Sequence, residues 1–354
     1  MVTRTSPCTL YQGFQMTAIS IRLLLFILVV VTTTLITVSG LSTASPVAVI
    51  GGTGRLGRLA VQQLLDRQIP CHFLVRRFPQ CDSPASLEDC TTSEQVAAFF
   101  QQHPNITLYE GDVTNRVALQ ALVQDCQACL ALWGSTRRSK VSDMWNPNIA
   151  DTDSTHAKQV NYQGVVNLIE ACQLGQCPRI VRITGKGEDP TGIFTILINL
   201  FGSMAKAWNY QGEQALRASP VDYTIIRPGV MSEQGPTAKG TTKTVSLKLA
   251  DNGGDLPVAR IRYADIATLC LDCLEFPNTA RCTLTAMAGE NDGDAEVATS
   301  WKPMLAQVQA DRRQFPSDML DQHYAAVKKV LYTLGGILAI VILGVFKAIA
   351  SWLL

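Results

Sequence analysis

The chain has 354 residues, of which 47% are hydrophobic and 17% are charged. Its 30 lysines and arginines balance 29 acids and form no basic block, which excludes a protein built around nucleic-acid binding. The length allows one large α/β domain with appendages or two small domains. The hydrophobic excess is concentrated at the two ends of the chain, which points to targeting or membrane segments there.

The first 45 residues are predicted to form a targeting segment. Residues 23–38 (LLLFILVVVTTTLITV) carry no charge, follow Arg4 and Arg22, and precede small residues of the kind found at signal-peptide cleavage sites. The uncharged stretch continues to Pro46 and is long enough for an uncleaved membrane anchor. Cleavage and retention of residues 1–45 both stay open.

Between residues 46 and 287, strand-like and helix-like segments alternate. The predicted strands are 47–52, 71–77, 106–115, 129–134, 179–187 and 221–229. Segments with apolar residues at helical spacing lie between them, and the predicted helices begin near residues 56, 94, 116, 159 and 203. This alternation predicts an α/β domain in which helices cover both faces of a doubly wound parallel sheet.

Three glycines at three-residue intervals separate the first predicted strand from the first predicted helix. They lie in the sequence GGTGRLG. A glycine-rich turn in this position lets backbone N–H groups approach a pyrophosphate, and the helix N-terminus adds a favourable partial positive charge. The sequence therefore predicts a dinucleotide cradle. Its residues are Gly51, Gly52, Thr53, Gly54, Arg55, Leu56 and Gly57.

The end of the second predicted strand indicates which dinucleotide is bound. Arg76 and Arg77 stand there, about twenty residues past Gly57, where an acid would hold the ribose hydroxyls of NAD. No acid occupies either position, and guanidinium groups bind phosphate in a bidentate way. We therefore predict NADP as the cofactor, held through its 2′-phosphate.

A second apolar segment closes the chain. Residues 330–354 are uncharged except for Lys347, and as a helix they would measure about 37 Å, enough to cross the hydrocarbon core of a bilayer. We predict a C-terminal transmembrane anchor over residues 328–354, with the two lysines that begin it on the side of the folded domain. The polar segment 288–327 is predicted to be a tether.

Several motifs between residues 46 and 285 occur together. They are GGTGRLG, the VRR that ends the second strand, GDVTN, VNYQGVVNLIEAC and DYTIIRPGVM. In this combination the chain resembles the NmrA-like, atypical short-chain dehydrogenase/reductase family. The resemblance implies a Rossmann-type fold that binds NAD(P).

The resemblance also implies roles for individual residues. Asp112 and Val113 would border the adenine, Trp133 and Gly134 would line the cofactor after the fourth strand, and Thr184 would face the nicotinamide. The residues that would shape a substrate cleft are Arg227, Pro228 and Gly229.

Whether the chain catalyses hydride transfer depends on a helix after the fifth predicted strand. The parent superfamily uses a Tyr-x-x-x-Lys pair, in which the lysine lowers the pKa of the tyrosine and the tyrosine exchanges the proton. Here Tyr210 is followed four residues later by Gln214, so the pair is incomplete, and Lys206 lies one turn before Tyr210 on the same face. The candidate catalytic residues are Lys206, Tyr210 and Thr184.

Two classes of function therefore stay open. The first is a membrane-anchored, NADP-dependent oxidoreductase that acts on a small apolar substrate, which the long polar segment 134–158 favours as a ligand cover. The second is a non-catalytic, redox-responsive NADP(H)-binding scaffold, or an assembly or regulatory protein, which the incomplete pair favours. The expected partners are NADP(H), a small substrate or a membrane-protein partner, and the membrane.

Two further expectations concern location and metals. The two terminal segments, with the family resemblance, predict a plastid membrane (thylakoid or envelope) or the endoplasmic reticulum. Two Cys-x-x-Cys pairs, Cys126–Cys129 and Cys270–Cys273, fall in strand-like or helical patterns rather than turns. We predict that they are buried thiols and that the chain has no metal site.

Overall fold

The computed structural model describes residues 44–140, 143, 148–186, 188–234, 245–290 and 297–353. All but the last two positions of the predicted targeting segment, residues 1–45, lie outside the described residues.

The described residues form alternating strands and helices. The strands are β1 (Val47–Ile50), β2 (Cys71–Val75), β3 (Ile106–Glu110), β4 (Ala128–Ala131), β5 (Arg179–Ile183), β6 (Asp222–Pro228), β7 (Val230–Ser232), β8 (Val245–Ala250), β9 (Arg260–Arg262) and β10 (Cys282–Glu290). The α-helices are α1 (Arg55–Asp66), α2 (Ser93–Gln101), α3 (Arg116–Val123), α4 (Ile149–Thr152), α5 (Gly164–Leu174), α6 (Ile193–Phe201), α7 (Ala205–Ala218), α8 (Tyr263–Glu275), α9 (Lys302–Leu305) and α10 (Met319–Leu353). A π-helix spans Lys158–Gln163, and a 3-10 helix spans Pro277–Thr279.

Eight strands form one sheet in the order β3-β2-β1-β4-β5-β6-β10-β8. All neighbouring strands in it are parallel except β10 and β8, and β7 pairs with β9 in a separate two-stranded sheet. The predicted parallel α/β architecture is confirmed, and the antiparallel edge strand β8 is added to it. The strand order reverses between β1 and β4, which is where open α/β sheets bind ligands beyond the carboxyl ends of their strands.

Two apolar layers, one on each face of the sheet, stabilise the domain. β1 is buried over its whole length, and its alternate residues enter opposite layers: Val47 and Val49 enter one, Ala48 and Ile50 the other. Helices α1, α2 and α8 cover the first face, and α3, α5 and α7 cover the second. This sandwich explains why the strands are continuous apolar runs instead of alternating ones.

The described part of the segment 288–327 packs on the domain, which differs from the predicted tether. Trp301, Leu305 and Val308 are buried in the layer that also contains α1 and α8, and the Trp301 indole N–H donates to the carbonyl oxygen of Asp265 at 2.7 Å. These three residues have helical spacing, but the pattern covers only two turns of a polar stretch that contains Pro303, so it does not stand out in the sequence. The segment is part of the domain from residue 297 onward.

Helix α10 begins inside the domain and leaves it. Met319 and Val327 are buried, whereas most large apolar side chains between Leu331 and Val345 are exposed. Among the described residues, one helix is long and apolar enough to cross a membrane by length and composition: Met319–Val345, which contains an 18-residue window with a mean hydropathy of 1.9. It overlaps the anchor predicted over residues 328–354.

Helix α6 was not predicted from the sequence, which indicated a single helix beginning near residue 203. Its sequence, IFTILINLF, is apolar almost throughout, and its polar residues Thr195 and Asn199 lie on the buried side, which is the reverse of the usual pattern for a helix on a soluble domain. The side-chain oxygen of Asn199 accepts the backbone N–H groups of Lys206 at 2.9 Å and Ala207 at 3.2 Å. Asn199 therefore ties α6 to the first turn of α7.

Candidate functional site

The glycine-rich turn after β1 is packed too closely for side chains. Gly51 has a φ of +83°, and a Cβ added to it would lie 2.7 Å from the carbonyl oxygen of Leu132. A Cβ on Gly57 would lie 2.1 Å from the carbonyl oxygen of Gly51. The turn therefore brings the start of α1 against the carboxyl ends of β1 and β4, as a phosphate cradle requires.

The N-terminus of α1 is left free for an anion. Gly54 occupies its cap position without a side-chain hydrogen bond, and the first turn contains no acid. The unpaired N–H groups of this turn carry a partial positive charge. Arg55 is exposed at the rim with its guanidinium 4.9 Å from the centre of the Tyr263 ring, whereas Leu56 is buried and packs in the core.

Other members of the predicted cradle support its shape. A Cβ on Gly52 would lie 2.2 Å from an atom of the Phe73 ring, so Gly52 allows this ring to pack beneath the turn. Thr53 is half-buried beside it.

Both predicted phosphate-binding arginines are exposed to solvent at the end of β2. The side chains of Arg76 and Arg77 are exposed, and Arg76 Nε lies 3.7 Å from Asp112 Oδ2. This contact is long and solvent-exposed, so it holds the guanidinium weakly. Asp112 also accepts the backbone N–H of Thr114 at 3.1 Å, and Val113 is buried against α5.

The loop after β4 is held against the π-helix. The Trp133 indole N–H donates to the carbonyl oxygen of Val160 at 3.0 Å, and Asn161 accepts the backbone N–H of Ser135 at 2.8 Å. Gly134 lies between these anchors and is exposed, with open space where a side chain would be. Trp133 and Gly134 therefore form a fixed wall at the carboxyl end of β4.

A buried ion cluster, which the sequence did not indicate as a unit, lies beyond β5. Glu213 accepts the Thr184 hydroxyl at 2.7 Å and is paired with Arg227 and with Arg217, whose Nη2 lies 2.9 Å away. Burial alone would raise the pKa of Glu213, but the two guanidinium groups lower it to about 2. Glu213 is therefore ionised, and Thr184 is oriented towards it.

The cluster continues to the C-terminal segment. Arg227, which the resemblance placed in a substrate cleft, is buried and also lies 3.3 Å from Glu188. Glu188 in turn pairs with Arg313 at 2.5 Å. The Phe315 ring lies 3.6 Å from the guanidinium carbon of Arg217. The i, i+4 spacing of Glu213 and Arg217 was the one sequence signal for this cluster.

Lys206 lies at the carboxyl end of β5, near Thr184. Its ammonium donates to the backbone carbonyl of Lys186, and a Cβ on Gly185 would lie 3.0 Å from Lys206 Nζ. Burial lowers the pKa of Lys206 to about 8. Lys206 therefore lies against Gly185 and Lys186, the two residues that follow Thr184 in the chain.

Tyr210 has a different environment from the one its spacing suggested. Its hydroxyl donates to the carbonyl oxygen of Pro316 at 3.0 Å, and the side-chain amide of Gln214 donates to the same oxygen at 2.8 Å. Burial raises the pKa of Tyr210 to about 12. Tyr210 is thus bonded to the C-terminal segment, whereas Lys206 is bonded to the loop after β5.

The four cysteines of the two Cys-x-x-Cys pairs are buried in the domain. Cys126, Cys129, Cys270 and Cys273 are buried free thiols, in agreement with their predicted role as packing residues. Burial raises the pKa of the Cys273 thiol to about 12. Within the described ranges, no group of three or more potential metal ligands occurs.

The strand order, the closely packed glycine turn and the uncapped α1 N-terminus together define a Rossmann-type NAD(P)-binding protein. A family model described as NAD(P)H-binding matches residues 51–277, and the chain belongs to this family.

Relatives and a solved structure agree with this assignment. The chain is 25% identical to chloroplastic protein TIC 62 of Pisum sativum over 271 residues, which are 77% of this chain and 47% of TIC 62. It is 25% identical to photosystem II assembly factor Ycf39 of Synechocystis over 71% of this chain and 65% of Ycf39. The chain thus spans about half of TIC 62. The oxidoreductase ylbE of Lactococcus lactis has the same fold, with a TM-score of 0.52 and 16% identity over 76% of this chain and 100% of that one.

Proposed function

We propose that this chain is a membrane-anchored NADP(H)-binding protein in which the bound dinucleotide serves assembly or regulation instead of turnover. The observation that carries the proposal is a difference between two parts of the candidate site. The glycine turn and the α1 N-terminus present free donors, while the hydroxyl groups of Thr184 and Tyr210 are both bonded within the protein.

The residues present fit the dinucleotide. The pyrophosphate would be held by N–H groups between Gly51 and Gly57, and the 2′-phosphate by Arg76 and Arg77. Asp112 and Val113 would border the adenine, and the wall formed by Trp133 and Gly134 would direct the nicotinamide towards Thr184. A bound nicotinamide supplies a hydride for reduction, which needs a matching proton donor from the protein.

The expected proton donors are engaged elsewhere. The Thr184 hydroxyl donates to an ionised carboxylate, and the Tyr210 hydroxyl donates to Pro316 and has a raised pKa of about 12. A tyrosine that acts as a proton donor near neutral pH needs a lowered pKa, not a raised one. These two hydrogen bonds favour a binding role over a reductase role.

The names of the relatives support the location. TIC 62 is chloroplastic, and Ycf39 is a photosystem II assembly factor. Together with the apolar half of α10, they favour a plastid membrane, thylakoid or envelope, over the endoplasmic reticulum. They also favour a membrane-protein partner over a small apolar substrate.

Lys206 favours a second candidate, an NADP-dependent reductase. Its pKa of about 8 lies close to physiological pH, where a general acid is most effective, and it lies beside Gly185 at the carboxyl end of β5. In this candidate Lys206 donates the proton and Tyr210 takes no part. The rate would then fall above about pH 8, as Lys206 loses its proton.

The test uses the full chain in detergent micelles. Calorimetry measures affinity for NADPH, NADP⁺, NADH and NAD⁺, and NADPH absorbance is followed with a panel of carbonyl and enone compounds. We expect NADPH binding without consumption. Consumption that Lys206→Met abolishes and Tyr210→Phe leaves intact would establish the reductase instead. Failure to bind any of the four dinucleotides would overturn both candidates.

A further inference from the structure

Helix α6 exposes an apolar face that no other described part of the domain covers. Five of its side chains are between 41% and 71% exposed, and their spacing places them on one side of the helix. They are Ile193, Phe194, Leu197, Ile198 and Phe201. The opposite side is buried through Thr195, Ile196 and Asn199. Clusters of exposed large apolar residues on soluble domains mark interaction surfaces.

This face lies beside the helix that leaves the domain. α6 packs against α10, and Asn199 Nδ2 lies 3.2 Å from His323 Nδ1. His323 is only about 10 Å along the helix axis from Val330, where the uncharged part of α10 begins. The buried side of α6 therefore contacts the first part of α10, and the uncharged part of α10 begins about two helical turns further along.

Exposed cations flank the apolar face. Lys328 and Lys329 are exposed on α10 just before its uncharged part. Arg138 and Lys140 are exposed on the loop after β4, which is held to the end of α6 by a hydrogen bond from the Ser139 N–H to the carbonyl oxygen of Phe201 at 2.8 Å. Apolar side chains bordered by lysine and arginine are typical of helices that lie in the interface of an anionic bilayer.

We propose that α6 lies in the interfacial layer of the bilayer that α10 crosses. Its five exposed apolar side chains contact acyl chains, and the four flanking cations contact anionic headgroups. A second copy of the chain fits this surface less well, because a symmetric contact through α6 would bring Arg138 and Lys140 of two copies together. The inference rests on the proposed membrane anchoring through α10.

The experiment places a reporter on the α6 face of the full chain. Phe194→Trp and a control, Val117→Trp on the exposed surface of α3, are reconstituted into vesicles of phosphatidylcholine and phosphatidylglycerol, with and without brominated acyl chains. Both positions are exposed and both substitutions stay apolar. Subtraction of the wild-type emission isolates the added tryptophan.

We expect the emission of the tryptophan at position 194 to be blue-shifted and to lose most of its intensity with brominated lipid. The tryptophan at position 117 should stay unquenched. Arg138→Gln with Lys140→Gln should reduce quenching at position 194 in anionic vesicles and not in neutral ones. A blue-shifted emission that brominated lipid does not quench and that dilution reverses would show a second copy on this face, and would overturn the inference.

Carbonate extraction separates this failure from failure of the anchor. If the protein stays in the membrane after extraction while position 194 is unquenched, α6 does not contact lipid and the inference is wrong, whereas the anchoring stands. If carbonate releases the protein, the anchoring is wrong, and the inference fails with it.

Discussion

The two halves of the candidate site differ in how far their polar groups are already bonded within the protein. The dinucleotide half, from Gly51 to Gly57 with Arg76 and Arg77, consists of a helix N-terminus without a side-chain cap and of exposed guanidinium groups. The reaction half, around Thr184, Lys206 and Tyr210, consists of side chains that are already bonded to the protein. Under the proposed function, the first half would bind the dinucleotide, whereas the candidate reactive groups of the second half are held in hydrogen bonds within the protein.

The largest expected effect comes from removing the charge of Glu213, which pairs with two buried arginines in the reaction half. In Glu213→Gln, the buried guanidinium groups of Arg217 and Arg227 lose their full counter-charge, and we expect a loss of about 3–5 kcal/mol in the free energy of unfolding. Urea unfolding of the full chain in detergent measures it. The matched control is Glu170→Gln, which removes an exposed ion pair with Arg116 and should cost less than about 1 kcal/mol. Equal losses in the two variants would contradict the structural role of the cluster.

The same carboxylate predicts a pH dependence. The folded-state pKa of Glu213 is about 2 and its ordinary value is 4.5, so its stabilisation is present above pH 4.5 and is lost as the pH falls towards 2. The shift corresponds to about 3 kcal/mol. Unfolding free energies of the wild type between pH 4.5 and 2.5 should fall more steeply than those of Glu213→Gln. Parallel curves would show that Glu213 is not held ionised.

In the dinucleotide half, the test adds a methyl group to the glycine turn. Gly57→Ala places a Cβ against the carbonyl oxygen of Gly51, and we expect a destabilisation of about 1–3 kcal/mol and loss of NADPH binding by calorimetry. Gly289→Ala in β10 is the control, since a Cβ there would lie no closer than 3.6 Å to its nearest neighbour, the Lys248 side chain. Normal NADPH affinity in Gly57→Ala would rule out the proposed cradle.

The smallest expected effect concerns the choice between the two dinucleotides. Arg76→Gln with Arg77→Gln should weaken NADPH binding by about 10- to 100-fold, the value of one charge-assisted contact. NADH affinity should stay unchanged in the same protein, which makes it the internal control. A parallel loss for both dinucleotides would assign the arginines to general electrostatics instead of the 2′-phosphate.

The geometry of the glycine turn could be predicted because its determinants are local. The turn from Gly51 to Gly57 and the arginines after β2 lie in short continuous stretches where strand, turn and helix signals agree. The buried Cys-x-x-Cys pairs were predictable for the same reason, from the strand and helix patterns around them.

The reaction half could not be predicted because its partners are distant in sequence. The Tyr210 hydroxyl is bonded to a residue 106 positions away, and Glu188 to one 125 positions away. Trp301 and Leu305 occupy the core beside a helix of only four residues, so the segment that supplies those partners was predicted to be a tether. Helix α6 was missed because its exposed side is apolar and its buried side contains Thr195 and Asn199, which is the reverse of the pattern expected for a helix on a soluble domain.

The continuity of α10 limits how the domain can move. The helix runs from Met319, inside the domain, to Leu353 without an interruption. A flexible linker of thirty residues would let a domain wander by roughly 30 Å from its anchor. With the apolar half of α10 in a bilayer, the domain instead has a fixed height and a fixed tilt above the lipid. The domain then meets other membrane proteins only by lateral diffusion, and it always presents the same face to the bilayer.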